Sequence, residues 1–474
     1  MKENEDDKEI GSNPASELTQ TLNSFLIQLD ALFEAQDRVM SLLWANEKEA
    51  VASLGKVVET LKSSRVADGK FRLTSDSDEW ENIKKVIKFS RKATEARRLI
   101  SHSFLVSMVS QYDAFFSSAV RKLFLLRPEK IRSGDRSISI KDLVRYSTID
   151  EALMELVNDE VDEVLRGSHL DQLEWLSKKF GFTIDAKLDI VQRFIEIAER
   201  RNICVHSDGR VSKYYVDCCK KLDSKFVTKK KIGEWVPIGS KYLRMSRNVL
   251  FEVGLRAIQT AWRKARPDQG KEQAGMLIDI TFELLNLEDY DLAKNIGDFT
   301  LELRDISDVH RKSLVVNAAI AYKLGGDSHK AMEILDKVDW SASESKFKLA
   351  VAVLRGDFER ASYLMEAVPK EGDGAISASH YRSWPLFIDA RNDEEFKNAF
   401  QRKFGEPLAA QFVEVPSDAN ELINDPFIQG RTDDIEELSF DAVASTPNQS
   451  ASLTLETSTE NLLINENPSD GSVN

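Results

Sequence analysis

The sequence predicts an all-α protein, and three observations support this prediction. Residues that interrupt helices are scarce, with 21 glycines and 11 prolines in 474 residues. Long stretches are rich in Ala, Leu, Glu and Lys, which favour helix. Apolar residues recur at spacings of three, four and seven, which place them on one face of a helix. We therefore expect a helical bundle followed by helical repeats.

The net charge of −14 is concentrated at the two ends of the chain. Residues 411–474 hold 13 acidic residues and one basic residue, Arg431, and residues 1–9 contribute −3. The body between them is therefore close to neutral, at +1. The acidic total does not exclude nucleic acid as a partner. The polar, acidic composition of residues 412–474 predicts a disordered tail.

Composition also indicates a compartment. No apolar run reaches the length of a membrane span, and residues 1–9 are acidic where a secretion signal is basic. With three cysteines and no such signal, we expect a cytoplasmic protein without disulfides and without membrane contact.

The first part of the chain predicts long helices. An acidic, disordered start, 1–15, precedes a helical extension, 16–80, which ends in a loop over 63–79. A long helix then runs from Glu81 to Leu126, and Pro128 ends it.

The pattern continues to residue 265, so that 81–265 forms one predicted helical domain. Its further elements are helices over 143–165 and 170–180, a helix capped by Asp185 that runs into Arg201, helices over 211–222 and 243–263, and an extended or hairpin segment over 229–238.

Beyond a predicted linker over 266–270, the chain repeats itself over 271–408. Similar strings, with a polar turn followed by an alanine, end at Ala293, Ala331, Ala361 and, more faintly, Ala399. These alanines are 38, 30 and 38 residues apart, which scatters about the roughly 34-residue tetratricopeptide period. The units resemble tetratricopeptide repeats, and the resemblance implies an array whose concave face binds a protein partner.

One stretch in the predicted domain combines side chains that are common in catalytic sites. Arg201, Asn202 and His206 lie within six positions near the end of a predicted helix. Arginine binds phosphate oxygens and stays charged, and histidine titrates near neutrality. As an isolated R-x4-H string, the pair would be a surface arginine and a helix-terminal histidine favoured by the helix dipole.

The spacing of this pair raises a geometric problem. Residues five apart in a straight helix lie about 140° apart around its axis, so Arg201 and His206 would not converge. Either the helix ends or distorts before His206, or a second chain completes the site.

The surrounding segment strengthens the functional interpretation. Glu199–Tyr215, with the pattern E-R-R-N-x-x-V-H-x-D-G-x-V-S-x-x-Y, resembles the signature of HEPN-domain ribonucleases of the bacterial toxin and phage-defence type. Their motif is R-x(4–6)-H with a polar residue after the arginine. Ser103–Phe116 looks like the long first helix of that family, and the segment from Lys231 to Leu243 looks like its closing part. The resemblance covers roughly residues 81–263.

The resemblance implies a metal-independent endoribonuclease that needs no cofactor. RNA would be cleaved by attack of its 2′-hydroxyl on the adjacent phosphate, with Arg201 and His206 as catalytic residues and Asn202 assisting. It also implies a two-fold homodimer in which one His206 acts as base and the other as acid.

A group of lysines follows the motif. It consists of Lys220, Lys221, Lys225, Lys229, Lys230 and Lys231. Such a group is either a solvated face or a track for RNA phosphates. A second basic cluster, Lys84–Arg98, is a weaker candidate.

Zinc is not expected. Cys204, His206, Cys218 and Cys219 lack the usual ligand spacing, and adjacent cysteines seldom bind one tetrahedral ion. The remaining histidines are interpreted as structural: His102, His169, His310, His329 and His380.

Two alternatives remain open. In one, the HEPN-like part only dimerises or binds RNA, and the repeats are a scaffold for protein interactions. In the other, the chain is a toxin held inactive by a partner.

Overall fold

The computed structural model describes most of the chain. The described residues are 14–63, 65–66, 70–71, 77–132, 138–221, 226–372 and 374–409. The predicted tail, 412–474, and most of the predicted acidic start lie outside them, as does Lys225. The described part is all-α, with seventeen α-helices and one ribbon of two short strands, so the predicted class is confirmed.

Two helices of fifty residues form an antiparallel hairpin. These are α1, Pro14–Ser63, and α2, Ser77–Leu126, each about 75 Å long at the rise of an α-helix. The ribbon between them pairs β1, Arg65–Val66, with β2, Lys70–Phe71. The segment 63–79, predicted as a loop, therefore contains strands and the start of α2.

The apolar stripe of α1 packs into the core as its spacing predicts. Leu22 and Phe25 are buried, and the Phe25 ring stacks on Phe115 of α2 at a centroid distance of 4.2 Å. A Cβ atom at Gly254 would lie 2.7 Å from the Phe115 ring. Gly254 lies in a third helix, Ser240–Ala265. Only glycine at this position lets that helix approach α1 and α2 so closely.

Seven helices follow, and the candidate site lies on one of them. They are α3 (Glu129–Arg132), α4 (Ile140–Leu143), α5 (Ile149–Leu165), α6 (His169–Phe180), α7 (Asp189–His206), α8 (Lys213–Lys221) and α9 (Ser240–Ala265). Helix α9 contacts α1, α2, α6 and α7 and is the central element of this region.

Two predicted boundaries are wrong for identifiable reasons. Asp185 does not cap α7, because its carboxylate accepts the N–H of Lys187 in a tight turn and the helix begins only at Asp189. The helix predicted over 143–165 begins only at Ile149, because Thr148 caps α5 by accepting the N–H of Glu151. Helix α7, which was expected to run into Arg201, continues to His206.

The region 271–408 is a series of helix pairs. The pairs are α10 (Gly270–Asn286) with α11 (Tyr290–Glu302), α12 (Asp308–Leu324) with α13 (Ser328–Asp336), α14 (Ser345–Arg355) with α15 (Phe358–Ala367), and the short α16 (Ala378–Ser383) with α17 (Glu394–Phe404). The four alanines of the sequence pattern are all buried, at 1% exposure or less. Their small side chains allow the paired helices to pack closely.

An aspartate caps the second helix of every pair. The four capping residues are Asp289, Asp327, Asp357 and Asp393, and each accepts the backbone N–H three residues later. The polar turn of the sequence pattern thus starts a helix by satisfying one of its free donors.

The predicted linker, 266–270, is an ordered turn. A short 3-10 helix, Pro267–Gln269, joins α9 directly to α10. The indole N–H of Trp262 donates to the Gln269 side chain at 2.8 Å, and the Gln273 amide donates to the Arg266 carbonyl at 2.8 Å. Buried contacts therefore continue across this junction. Among the described helices, none has the length and apolar character needed to cross a membrane.

The caps of the repeat region are open to a direct test. Asp357→Ala removes the acceptor of the Arg360 N–H, which lies 3.1 Å away, and is expected to lower the free energy of unfolding by about 1 kcal/mol. Asp357→Asn keeps an acceptor and serves as the matched control. Urea denaturation measures both, and equal losses in the two variants would contradict the capping role.

Candidate functional site

Helix α7 carries the motif and ends directly after it. Phe194 and Ile197 are buried and hold the helix in the core. The N–H groups of Ser207 and Gly209 both donate to the Ile203 carbonyl at 2.9 Å, which closes the last turn. Gly209 has a φ of +71°, a conformation that glycine adopts readily. His206 is therefore the last residue of a well-packed helix.

The motif does not converge within one chain. Because α7 is helical through His206, the first of the two alternatives, a helix that ends or distorts before His206, is wrong. Arg201 and His206 point about 140° apart, whereas Asn202 and His206 share a face. His206 is exposed, and no described residue hydrogen-bonds with its imidazole. The Arg201 side chain is only 21% exposed.

Arg201 instead meets an aspartate and a second histidine. Its Nη2 lies 3.1 Å from one carboxylate oxygen of Asp113, and the other oxygen lies 3.0 Å from Nε2 of His169. His169 is buried at the start of α6 and packs edge-on against Phe194. The Nε atom of Arg201 is buried and has no hydrogen-bond partner. The arginine is thus oriented by Asp113 and keeps donors unused.

Asp113 is not among the residues that the sequence singles out, and the sequence alone indicates an isolated, structural role for His169. The structure joins His169 through Asp113 to Arg201, so His169 is not isolated. A usable signal was present, since Asp113 interrupts the apolar and aromatic run of Ser103–Phe116. An acidic residue in such a run requires a partner when it faces the core.

The neighbouring arginine, Arg200, belongs to a buried polar network. Its guanidinium contacts the Glu196 carboxylate at 2.6 and 2.8 Å and lies over the Tyr242 ring at 4.0 Å. The same carboxylate accepts the hydroxyls of Tyr215 at 2.6 Å and of Tyr242 at 2.8 Å. The network connects α7 with α8 and α9 and so fixes the helix that carries the motif.

A second buried carboxylate, Glu199, is poorly satisfied. Among the described residues, the only hydrogen bond to its carboxylate comes from the Asn202 amide at 3.4 Å, a long hydrogen bond. Burial raises the pKa of the Glu199 carboxyl above its ordinary value. The side-chain amide of Asn202, which was expected to assist catalysis, therefore already has a partner in Glu199.

The extended segment over 229–238 pairs with the chain just after the motif. Val211 and Val236 donate to the carbonyls of Glu234 and Gly209 at 3.0 Å, and Arg210 and Trp235 form an isolated β-bridge. The segment predicted as extended or hairpin therefore holds a turn over 232–233 and this single bridge, without a named strand. The exposed ring of Trp235 lies 4.6 Å from both the Arg98 and the Arg210 guanidinium. These contacts hold the segment beside α2.

His102 is packed against the turn that ends the motif. A Cβ atom at Gly209 would lie 2.3 Å from the His102 ring. Burial, followed by the charge of Arg98, lowers the pKa of His102. The buried imidazole thus fills the space that the glycine leaves.

The predicted lysine track is exposed where the structure describes it. Its described members are Lys220, Lys221, Lys229, Lys230 and Lys231. None of them forms an ion pair with another described residue. Lys230 also lines a groove of about 320 Å³ together with Arg97, Arg98 and Trp235.

The surroundings of the cysteines favour the protonated thiol. Burial raises the pKa of the Cys204 and Cys219 thiols to about 12 in each case. In the part of the chain that the structure describes, no three His, Cys, Asp or Glu side chains are grouped to hold a metal ion.

Comparison with known proteins adds no relative. The chain matches no protein-family model, no curated protein and no solved structure. The functional assignment of the motif therefore depends on its own residues and their geometry.

Neutralising each of the two buried glutamates of α7 is expected to change the stability of the protein in opposite directions. Glu196→Gln leaves the Arg200 guanidinium buried without a counter-charge and is expected to lower the free energy of unfolding by about 3–5 kcal/mol. Glu199→Gln removes a carboxylate that burial disfavours, so it is expected to raise the melting temperature at neutral pH.

The sign of the Glu199 effect depends on pH. Because its pKa is higher in the folded than in the unfolded state, the ionised group costs stability once pH rises above the unfolded value. Thermal melts at about pH 7.5 and about pH 4 test this, since the gain from Glu199→Gln should vanish at the lower pH. A loss at pH 7.5 would contradict the argument.

Proposed function

We propose that the chain is a metal-independent endoribonuclease in which Arg201 and His206 carry the chemistry. The observation that supports this most is the position of His206, an exposed imidazole without a described partner at the end of a helix fixed by buried contacts. A histidine held in this way at a surface is suited to proton transfer near neutral pH.

The chemistry follows from the residue types. The 2′-hydroxyl of RNA loses its proton to one imidazole and attacks the adjacent phosphorus, while the leaving 5′-oxygen receives a proton from an imidazolium. The products are a 2′,3′-cyclic phosphate and a 5′-hydroxyl. Arg201 would stabilise the negative charge that grows on the phosphoryl oxygens, with Asp113 orienting its guanidinium.

A second copy of the chain would complete this site. Within one chain the helical geometry points Arg201 and His206 in different directions, and in the proposed dimer two motifs would face each other across one cleft. Val205, beside His206, and Tyr214 on α8 are 50% and 64% exposed, and exposed apolar groups favour an interface. A two-fold dimer brings both copies of His206 to the same cleft, one as base and one as acid.

The remaining parts of the proposal concern RNA and regulation. The exposed lysines after the motif would contact RNA phosphates, with affinity that falls as salt rises. The repeat region would dock or sense a protein partner. A role in toxicity or defence against phage accords with the resemblance of the motif.

A non-catalytic role is the second candidate, and one observation favours it. Asp113 already neutralises Arg201 and thereby competes with a phosphate. In this case the domain would only dimerise or bind RNA.

Cleavage assays separate the two candidates. His206→Ala is expected to lower RNA cleavage in EDTA by about two to four orders of magnitude, because it removes the proton-transfer group. His329→Ala replaces another exposed histidine, in the repeat region, and should leave cleavage unchanged. Unaltered cleavage by folded His206→Ala protein, or cleavage that requires a divalent ion, would refute the proposal.

Mixed dimers test the shared cleft. Wild-type and His206→Ala chains are co-refolded in equal amounts, and the cleavage rate is compared with that of wild type. If both copies of His206 serve one cleft, only about one quarter of the dimers remain active, whereas independent subunits would retain about one half. Activity of about one half would therefore refute the shared cleft while leaving the ribonuclease proposal intact.

A further inference from the structure

A cavity of about 270 Å³ opens in the repeat region, far along the chain from the motif. It lies between the first helices of three successive pairs, α10, α12 and α14, and the segment 375–384. Its volume is near the lower end of the roughly 300–1,000 Å³ of small-molecule sites. A ligand that fits it is therefore small.

The walls of the cavity are apolar and aromatic. Phe282, Phe347 and Trp384 line it together with Val316. The rings of Phe282 and Trp384 lie 6.0 Å apart at 57°, and Phe347 is buried. Such walls favour a flat or branched hydrocarbon group.

One wall carries a donor that the protein leaves unused. The indole Nε1 of Trp384 is buried and has no hydrogen-bond partner. By contrast, the indole N–H groups of Trp262 and Trp340 each donate at 2.8 Å. Since buried donors are almost always paired, the unpaired Trp384 N–H is available to an acceptor oxygen.

Two further polar side chains line the cavity, the cationic Lys346 and His380. Nδ1 of His380 lies 2.7 Å from the Ser377 hydroxyl oxygen. The Lys346 ammonium lies 3.1 Å from Glu344, but that carboxylate is half exposed and does not line the cavity. No described residue of the lining is acidic, although acidic residues outnumber basic ones by 79 to 65 in the chain.

We propose that this cavity binds a small apolar carboxylate, with its hydrocarbon part between the aromatic walls and its carboxylate toward Lys346 and the Trp384 N–H. A carboxylate offers two acceptor oxygens and the charge that complements an ammonium. The site does not depend on the ribonuclease proposal, because no residue of the motif takes part in it.

Calorimetric titration of the full chain with 2-naphthoate and with its uncharged analogue 2-naphthylmethanol tests the site. The carboxylate is expected to bind at least about tenfold more tightly than the alcohol, because only it pairs with Lys346. Lys346→Met and Trp384→Phe should each lower the affinity for 2-naphthoate by about tenfold. Lys348→Met is the matched control, since Lys348 does not line the cavity. This variant should bind 2-naphthoate with unchanged affinity.

A second variant keeps the test decisive. Ser313→Phe fills the cavity from a partly exposed position of its lining and should abolish binding. Thermal melts by circular dichroism establish that each variant is folded. Failure of 2-naphthoate to bind at millimolar concentration, or unchanged binding by Lys346→Met, would overturn the proposal. Equal binding of carboxylate and alcohol would also overturn it, and would indicate an anchor for a partner's apolar side chain.

Discussion

The carboxylate of Glu196 is the contact on which the position of the motif depends. It is 2% exposed and receives hydrogen bonds from Arg200, Tyr215 and Tyr242. These partners come from α7 itself, α8 and α9. A buried charge is tolerated only when such donors surround it, and their geometry leaves little freedom to the helices that supply them. The rotation of α7 about its axis is thereby fixed, and with it the directions of Arg201 and His206.

This fixed rotation has chemical meaning. With Arg200 turned into the core, Arg201 lies at the boundary, where Asp113 binds it, and His206 lies at the surface. A helix with this rotation directs its own arginine and histidine about 140° apart. The geometry of one chain therefore favours a shared cleft or a site that does not catalyse over a self-contained site.

Periodicity predicted much of the helical fold but little of the site. The long helices and the end of α6 at Phe180 followed from the spacing of apolar residues. Which of two adjacent arginines faces the core did not, because neighbouring helix positions differ by about 100° and the pattern alone tolerates either. The Asp113–Arg201 pair joins residues 88 positions apart, and no local pattern records such a contact.

Asp289 has two roles that bear on how the chain can be divided. One carboxylate oxygen caps α11, and the other pairs with Arg247, a buried residue of α9 that also pairs with Asp30 of α1. The first repeat thus supplies a counter-ion to the helical domain. Truncation after residue 265 would remove that counter-ion and expose the apolar side of α9, so a fragment chosen by sequence boundaries alone would lack part of its own core. A useful shorter fragment has to extend through α11.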